Sequence, residues 1–199
     1  MSFSSETKKQ ISQRISGSSC CQMAEFLALT KSDGTIGIHG RDGLVLAVTT
    51  ENAAVAKKIY KLSKELFQQP GKLLVYKNTR LKKNNRYEIR IPYQDDVKAI
   101  FVRLGIMNDD GSWGDLSKNT FPFDSVKKDC CKRSYLRGAF LGSGSVNNPE
   151  GAYHLEIVSA YPEQAEGMQQ LMADFDIHGK ICKRKNQYVL YLKNADQIS

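Results

Sequence analysis

The stretch YLRGAFLGSGSV, residues 135–146, carries Gly138, Gly142 and Gly144 among apolar side chains and contains no carboxylate, histidine or cysteine. It has nothing with which to do chemistry, yet its glycines recur too regularly for a loop. A four-residue spacing places side chains on one face of a helix. Ser134, Gly138 and Gly142 would therefore form a smooth stripe that another backbone can approach closely. The helix stops at Gly144 and a β-branched residue follows, so the segment reads as a helix feeding directly into a strand.

An earlier copy stands at an offset of 110 residues. CCQMAEFLALTKSDGTI (20–36) aligns without gaps to CCKRSYLRGAFLGSGSV (130–146). Only three positions are identical, but Ala24, Ala28 and Ser32 fall where Ser134, Gly138 and Gly142 do. Downstream, LVLAVTTENAAVAKKIYKLSKELF (44–67) reads as a strand, a Thr/Asn cap and an amphipathic helix. YHLEIVSAYPEQAEGMQQLMADF (153–175) is its counterpart, with Pro162 suited to a helix's first turn. A hairpin follows in each half, KLLVYKNTRLKKNNRYEIRIP (72–92) and GKICKRKNQYVLYLK (179–193). Alternation turns Tyr87, Ile89, Ile91 and Tyr188, Leu190, Leu192 toward the helices. It turns Arg86, Arg90, Gln187 and Tyr191 outward.

Each half thus reads α-β-β-α-β-β, an α+β chain built by duplication. Residues 1–106 form the first repeat, 107–128 a linker and 129–199 the second repeat. In the first repeat Asp95 or Asp96 caps a further helix, VKAIFVRLGIM. The second repeat stops in the first turn of the same helix, which predicts a longer parent protein.

The net charge of +8 is concentrated. From Lys57 to Arg90 there are eleven basic residues against Glu65 and Glu88, and the rest of the chain is close to neutral. A concentrated basic segment favours a polyanionic partner, most often nucleic acid. The sequence has no apolar run near the ~20 residues of a membrane span, and its first residues lack the apolar core of a signal peptide. Five cysteines fall as Cys20-Cys21, Cys130-Cys131 and Cys182, a poor framework for secreted disulfides. These features point to a reduced cytoplasm. Without C-x-x-C spacing, the pairs read as small apolar fillers that start the two central helices, with no metal and no cofactor implied. His39, His154 and His178 stand apart from any acid or cysteine at catalytic spacing, and there is no phosphate-binding glycine motif.

The paired helices ending in DGTI and GSGSV, each opening an αββαββ repeat, resemble the LAGLIDADG motif of homing endonucleases. Phe26 to Gly34 and Leu136 to Gly144 occupy its nine positions. The chain is more closely similar to the WhiA family, bacterial regulators of sporulation and cell division. That resemblance rests on the paired CC starts, TTENAAVAKKIYKLSKELF, LKKNNRYEIRI, YLRGAFLGSGSVNNPEGAYHLEI and YVLYLKNADQI. It implies two four-stranded antiparallel sheets in a pseudo-twofold monomer, followed in the family by a helix-turn-helix domain that this chain lacks.

LAGLIDADG nucleases hold divalent metal between two carboxylates, one at each helix end, because phosphodiester hydrolysis needs anionic oxygen ligands at the scissile phosphate. Here the first position is Asp33 and its partner is Ser143. A hydroxyl cannot replace a carboxylate, so the resemblance implies a scaffold without catalysis. It also implies a saddle over double-stranded DNA, with strands in the major groove and loops at phosphates. The expected contacts are Lys77, Arg80, Lys82, Lys83, Asn84, Asn85, Arg86 and Arg90 in the first hairpin. The second supplies Lys183, Arg184, Lys185 and Lys193. Asn84, Asn85 and Arg86 could read bases or shape the turn. The competing expectation is a scaffold that meets a protein partner in transcription regulation and leaves DNA recognition to the helix-turn-helix domain, favoured by an apolar patch at Val189 and Tyr191.

Overall fold

The computed structural model describes residues 2–38, 44–68, 71–77, 85–94, 98–105, 107–112, 121–148, 150–151 and 153–198. Helix α1 (Phe3–Ser12), with Ser2 as N-cap, precedes the first repeat. That repeat comprises α2 (Ser19–Asp33), β1 (Gly34–Ile38), β2 (Leu44–Thr50), α3 (Ala53–Phe67), β3 (Lys72–Tyr76), β4 (Arg86–Pro92) and α4 (Lys98–Arg103). The second comprises α5 (Asp129–Ser143), β5 (Gly144–Val146), β6 (Leu155–Ser159), α6 (Pro162–Ala173), β7 (Lys180–Arg184), β8 (Gln187–Leu192) and the single turn α7 (Ala195–Ile198). Each repeat folds its strands into a four-stranded antiparallel sheet, in the orders β1-β2-β4-β3 and β5-β6-β8-β7.

Local chemistry sets the helix starts. The Asn52 side chain accepts from the backbone N–H groups of Ala54 and Val55, and Pro162 opens α6 where a missing N–H costs nothing. Helix α3 buries Val55, Ile59 and Leu62 from one face against its own sheet. Val48, Ile89 and Ile91 of the first sheet join that core, as do Ile157, Leu190 and Leu192 of the second. The described parts of 107–128 pack into the core. Met107, Phe121 and Val126 are buried, and the Phe121 ring lies edge-on to Tyr135 at 4.9 Å.

The pairing of α2 with α5 unites the two repeats. Ala24 and Ala28 are buried on one side, Ser134 and Gly138 on the other. A methyl group on Gly138 would lie 2.4 Å from the Glu25 carbonyl oxygen, and one on Gly142 would lie 2.7 Å from Ser32 Cβ. The small-residue stripe is therefore a contact between backbones. At Gly34 and Gly144 the two helices pass directly into strands β1 and β5. Both glycines have extended backbone, with φ of −82° and −83°. A Cβ at Gly34 would meet Thr30 O at 2.3 Å, and one at Gly144 would meet the Phe140 ring at 2.4 Å. Glycine is needed there for space, because the chain turns from helix to strand without a loop.

A charged group is sealed within this helix interface. Glu25 is fully buried and receives two hydrogen bonds of 2.9 Å from Arg137 of α5. Lys58 of α3, also buried, lies 2.5 Å from Glu25 and donates to the Arg14 carbonyl. Desolvation is met by pairing every member, which a buried charge requires.

Two substitutions probe the interface. Gly138→Ala would gain about 1 kcal/mol of helix propensity but is expected to lose a net ~1–3 kcal/mol by overpacking, read as a lower urea midpoint. Glu25→Gln leaves the buried Lys58 and the half-buried Arg137 without their counter-ion and is expected to cost about 3 kcal/mol in the same measurement.

Candidate nucleic-acid interface

The alternation of each strand decides which side chains face away from the helices. On the first sheet Lys72, Arg86, Glu88 and Arg90 share the outer face with Tyr76. Glu88 is nearly buried there, 3.4 Å from Arg86 and hydrogen-bonded to Arg90. Arg86 also lies over the Tyr76 ring at 5.0 Å, and Arg90 donates to the Tyr76 hydroxyl at 3.1 Å. The two arginines are thus held in place by a central carboxylate and an aromatic ring. Lys77 is exposed just beyond β3 and Asn85 is half-buried just before β4. Arg80, Lys82, Lys83 and Asn84 lie outside the described residues, as do His39, Asp95 and Asp96.

The second sheet repeats the arrangement with different residues. Lys180, Arg184, Glu156 and Tyr191 face outward, and Lys193 lies over the Tyr191 ring at 5.5 Å. Glu156 is the central acid, 3.4 Å from Arg184 and 3.3 Å from His154. Lys185 sits exposed at the turn with φ of 56°. Lys183 departs from the sequence expectation. It pairs across the strands with Tyr188 and shares the helix-side face with Ile181 and Leu190, over the Tyr188 ring at 5.7 Å. Strand alternation removes it from the outer face. The apolar patch expected at Val189 and Tyr191 is also absent, because Val189 is 1% exposed and Tyr191 is half-buried beneath Lys193. Lys58, counted within the basic segment, points into the core.

Between the sheets lie the ends of α2 and α5. Asp33 and Ser143 line a cavity of about 350 Å³, with Tyr161 and Gln187 at its walls. The Ser143 hydroxyl donates to the Ala139 carbonyl at 3.5 Å, so it is turned back onto its own helix. Asp33 also borders a larger groove of about 830 Å³ lined by Lys8, Asn52, Arg86 and Gly142. Helix α1 closes one side of that groove. Lys8 donates to the Gly142 carbonyl at 3.4 Å, Ser4 accepts from the Val146 N–H, and Asn52 donates to Ser5. Burial pushes the Asp33 carboxyl above the usual carboxylate range, against the opposing field of Lys8. Burial likewise lowers Lys8, and Asp33 partly offsets that effect. The site therefore pairs one carboxylate with an ammonium where two carboxylates would hold a divalent ion.

Sequence reasoning misses α1 and Lys8 because only docking brings them to this position. Glu25, Lys58 and Arg137 did carry a signal: each is a charge set among residues of an apolar helix face. The cysteine pairs are placed unexpectedly. Cys21 and Cys131 are buried as fillers would be, but Cys20 is half-buried and Cys130 exposed.

Lys8→Met removes the charge that holds Asp33 down. Its carboxyl pKa is expected to rise further, measured by ¹³C NMR titration; an unchanged value would show that Lys8 is not its counter-ion.

Residues 19–107 match the family model described as the WhiA N-terminal LAGLIDADG-like domain, and residues 132–199 match the WhiA LAGLIDADG-like domain. A Desulforamulus reducens protein named probable cell division protein WhiA is 45% identical over 198 residues. Its Bacillus subtilis namesake is 44% identical over 200 residues. Both matches take in 100% of this chain, which spans 61% of each relative's length. Full-length DUF199/WhiA from Thermatoga maritima superposes with a TM-score of 0.73 at 24% identity, covering 100% of this chain and 59% of that one. The homing endonuclease I-DmoI in complex with DNA and Mn superposes at 0.58 with 15% identity, over 91% of this chain and 94% of that one. These last two likenesses establish the LAGLIDADG fold. With both of its domain models matched in order along one chain, the protein belongs to the WhiA family.

Proposed function

We propose that this chain is the DNA-binding, catalytically inactive LAGLIDADG-like part of a transcriptional regulator of cell division and sporulation. It acts at the nucleoid as a monomer with internal pseudo-twofold symmetry. The observation that carries the DNA reading is the charge on both outer faces. Among the described residues, Lys72, Arg86 and Arg90 surround Glu88 on one sheet, and Lys180, Arg184 and Lys193 surround Glu156 on the other. Two basic faces joined by one helix pair suit a duplex that runs across both. The protein-scaffold alternative loses its main support with the burial of Val189.

Metal-assisted hydrolysis requires hard anionic ligands that bridge the reacting oxygens. Asp33 alone, beside Lys8 and facing the neutral Ser143, offers half of such a set. Its raised pKa weakens even that half as a ligand.

If roughly six phosphates are neutralised, log K for duplex DNA is expected to fall with log salt at a slope of about −5. In an anisotropy titration Arg184→Ala/Lys193→Ala should reduce that slope by about 2. A flat salt dependence, or no binding at low salt, sinks the DNA reading. Specific plasmid nicking with Mg²⁺ that disappears in Asp33→Ala would sink the inactive one.

A further inference from the structure

The four paired cysteines meet at the ends of the central helices remote from Asp33 and Ser143. Cys20 and Cys21 stand in the first turn of α2, and Cys130 and Cys131 in the first turn of α5. The helix pairing brings their four sulfur atoms within 4.8 Å of one another. We propose that this cluster is a tetrathiolate site for one thiophilic metal ion, Zn²⁺, which clamps the two repeats together. The inference is independent of the DNA reading.

Geometry favours a single ion. Four thiolates around zinc at about 2.3 Å form a tetrahedron with sulfur–sulfur edges of about 3.8 Å. The observed separations need to close by at most about 1 Å to reach it. An iron–sulfur cube would have to push the same sulfurs apart to make room for its own iron and sulfide. Two ligands come from each repeat, so the metal cross-links elements more than a hundred residues apart in sequence. Sequence spacing conceals the site because the ligand set is assembled by the pseudo-twofold axis.

Neither helix has a side-chain N-cap, since both Ser18 and Lys128 leave that position without a side-chain hydrogen bond. The positive N-terminal ends of both helices lie at the cluster, where a helix dipole favours negative charge. The two less buried members give an ion a way in, and the buried pair shields it afterwards. Four small fillers would be expected to be buried alike, and these are not. As the ion binds, the thiol protons leave to solvent and four sulfur–metal bonds form, with no change of oxidation state.

The site lies roughly 18–20 Å from Asp33 along α2, at 1.5 Å of rise per residue. Its role is structural: it fixes the N-terminal ends of α2 and α5 to each other.

The full chain, purified with reductant and without chelator, is expected to carry about one zinc per molecule by elemental mass spectrometry. Its cobalt form should show the d–d bands of a tetrahedral site and thiolate-to-metal charge transfer. Cys20→Ser and Cys130→Ser, at positions that are not core, should leave the circular dichroism unchanged. Each should weaken zinc binding by more than the ~10–100-fold typical of an outer-shell change. Cys182→Ser, outside the cluster, should keep full occupancy. Reduced protein that takes up neither zinc nor cobalt overturns the proposal. Binding that survives in Cys20→Ser/Cys130→Ser also overturns it. So does recovery of the four cysteines as inter-repeat disulfides whose reduction yields no metal-binding protein.

Discussion

The rest of the molecule depends on how closely α2 and α5 approach. With no side chain at Gly138, the backbone of α5 rests on the Glu25 carbonyl, and the two repeats share one core. That proximity also lets Arg137 reach the Glu25 carboxylate on the neighbouring helix. Lys58 completes the group from α3 and ties the first repeat's outer helix to the axis. A charged triad of this kind adds little net stability compared with an apolar core, but any loosening of the helices would leave it unsatisfied. It therefore sets the register of the two repeats, while the glycines set their distance.

The same axis determines what meets at each end of the helix pair. At the C-terminal ends, duplication would place like against like, and in a nuclease it brings two carboxylates together. Here divergence has left Asp33 facing Ser143, and α1 introduces Lys8 beside the surviving acid. The electrostatics are those of a damped half-site: a carboxyl pushed toward its neutral form by burial, next to a partly desolvated amine. At the N-terminal ends duplication has kept like against like. Cysteine pairs converge there because both copies retained them, and the symmetry that wastes a hydroxyl at one end collects four sulfurs at the other.

On the sheets, a single acid organises the cations of each outer face. Glu88 and Glu156 lower the net charge of these faces but hold neighbouring arginine side chains in place. Arg86 and Arg90 are constrained by Glu88 and Tyr76, at a cost in free charge. The sequence alone does not reveal this trade, because Glu88 simply interrupts a run of basic residues there.

Much of the fold was legible without coordinates. The 110-residue offset, the period-four small residues and the alternation of RYEIRI and QYVLYL each follow from local rules of helix and strand. They fix element order, facing and the helix pair. What escaped the sequence is contact between distant segments. The docking of α1 places Lys8 by Asp33, and no periodicity encodes it. Lys183 differs from Arg184 by one residue, yet the strand register puts it on the opposite face. The cysteines look inert in sequence because ligand spacing is usually sought within one segment. Sequence determined the repeat because hydrogen bonding and side-chain direction are local. Tertiary structure alone decided which charges are buried, which cations face outward and which sulfurs meet, because those depend on where the pseudo-twofold axis brings the two copies together.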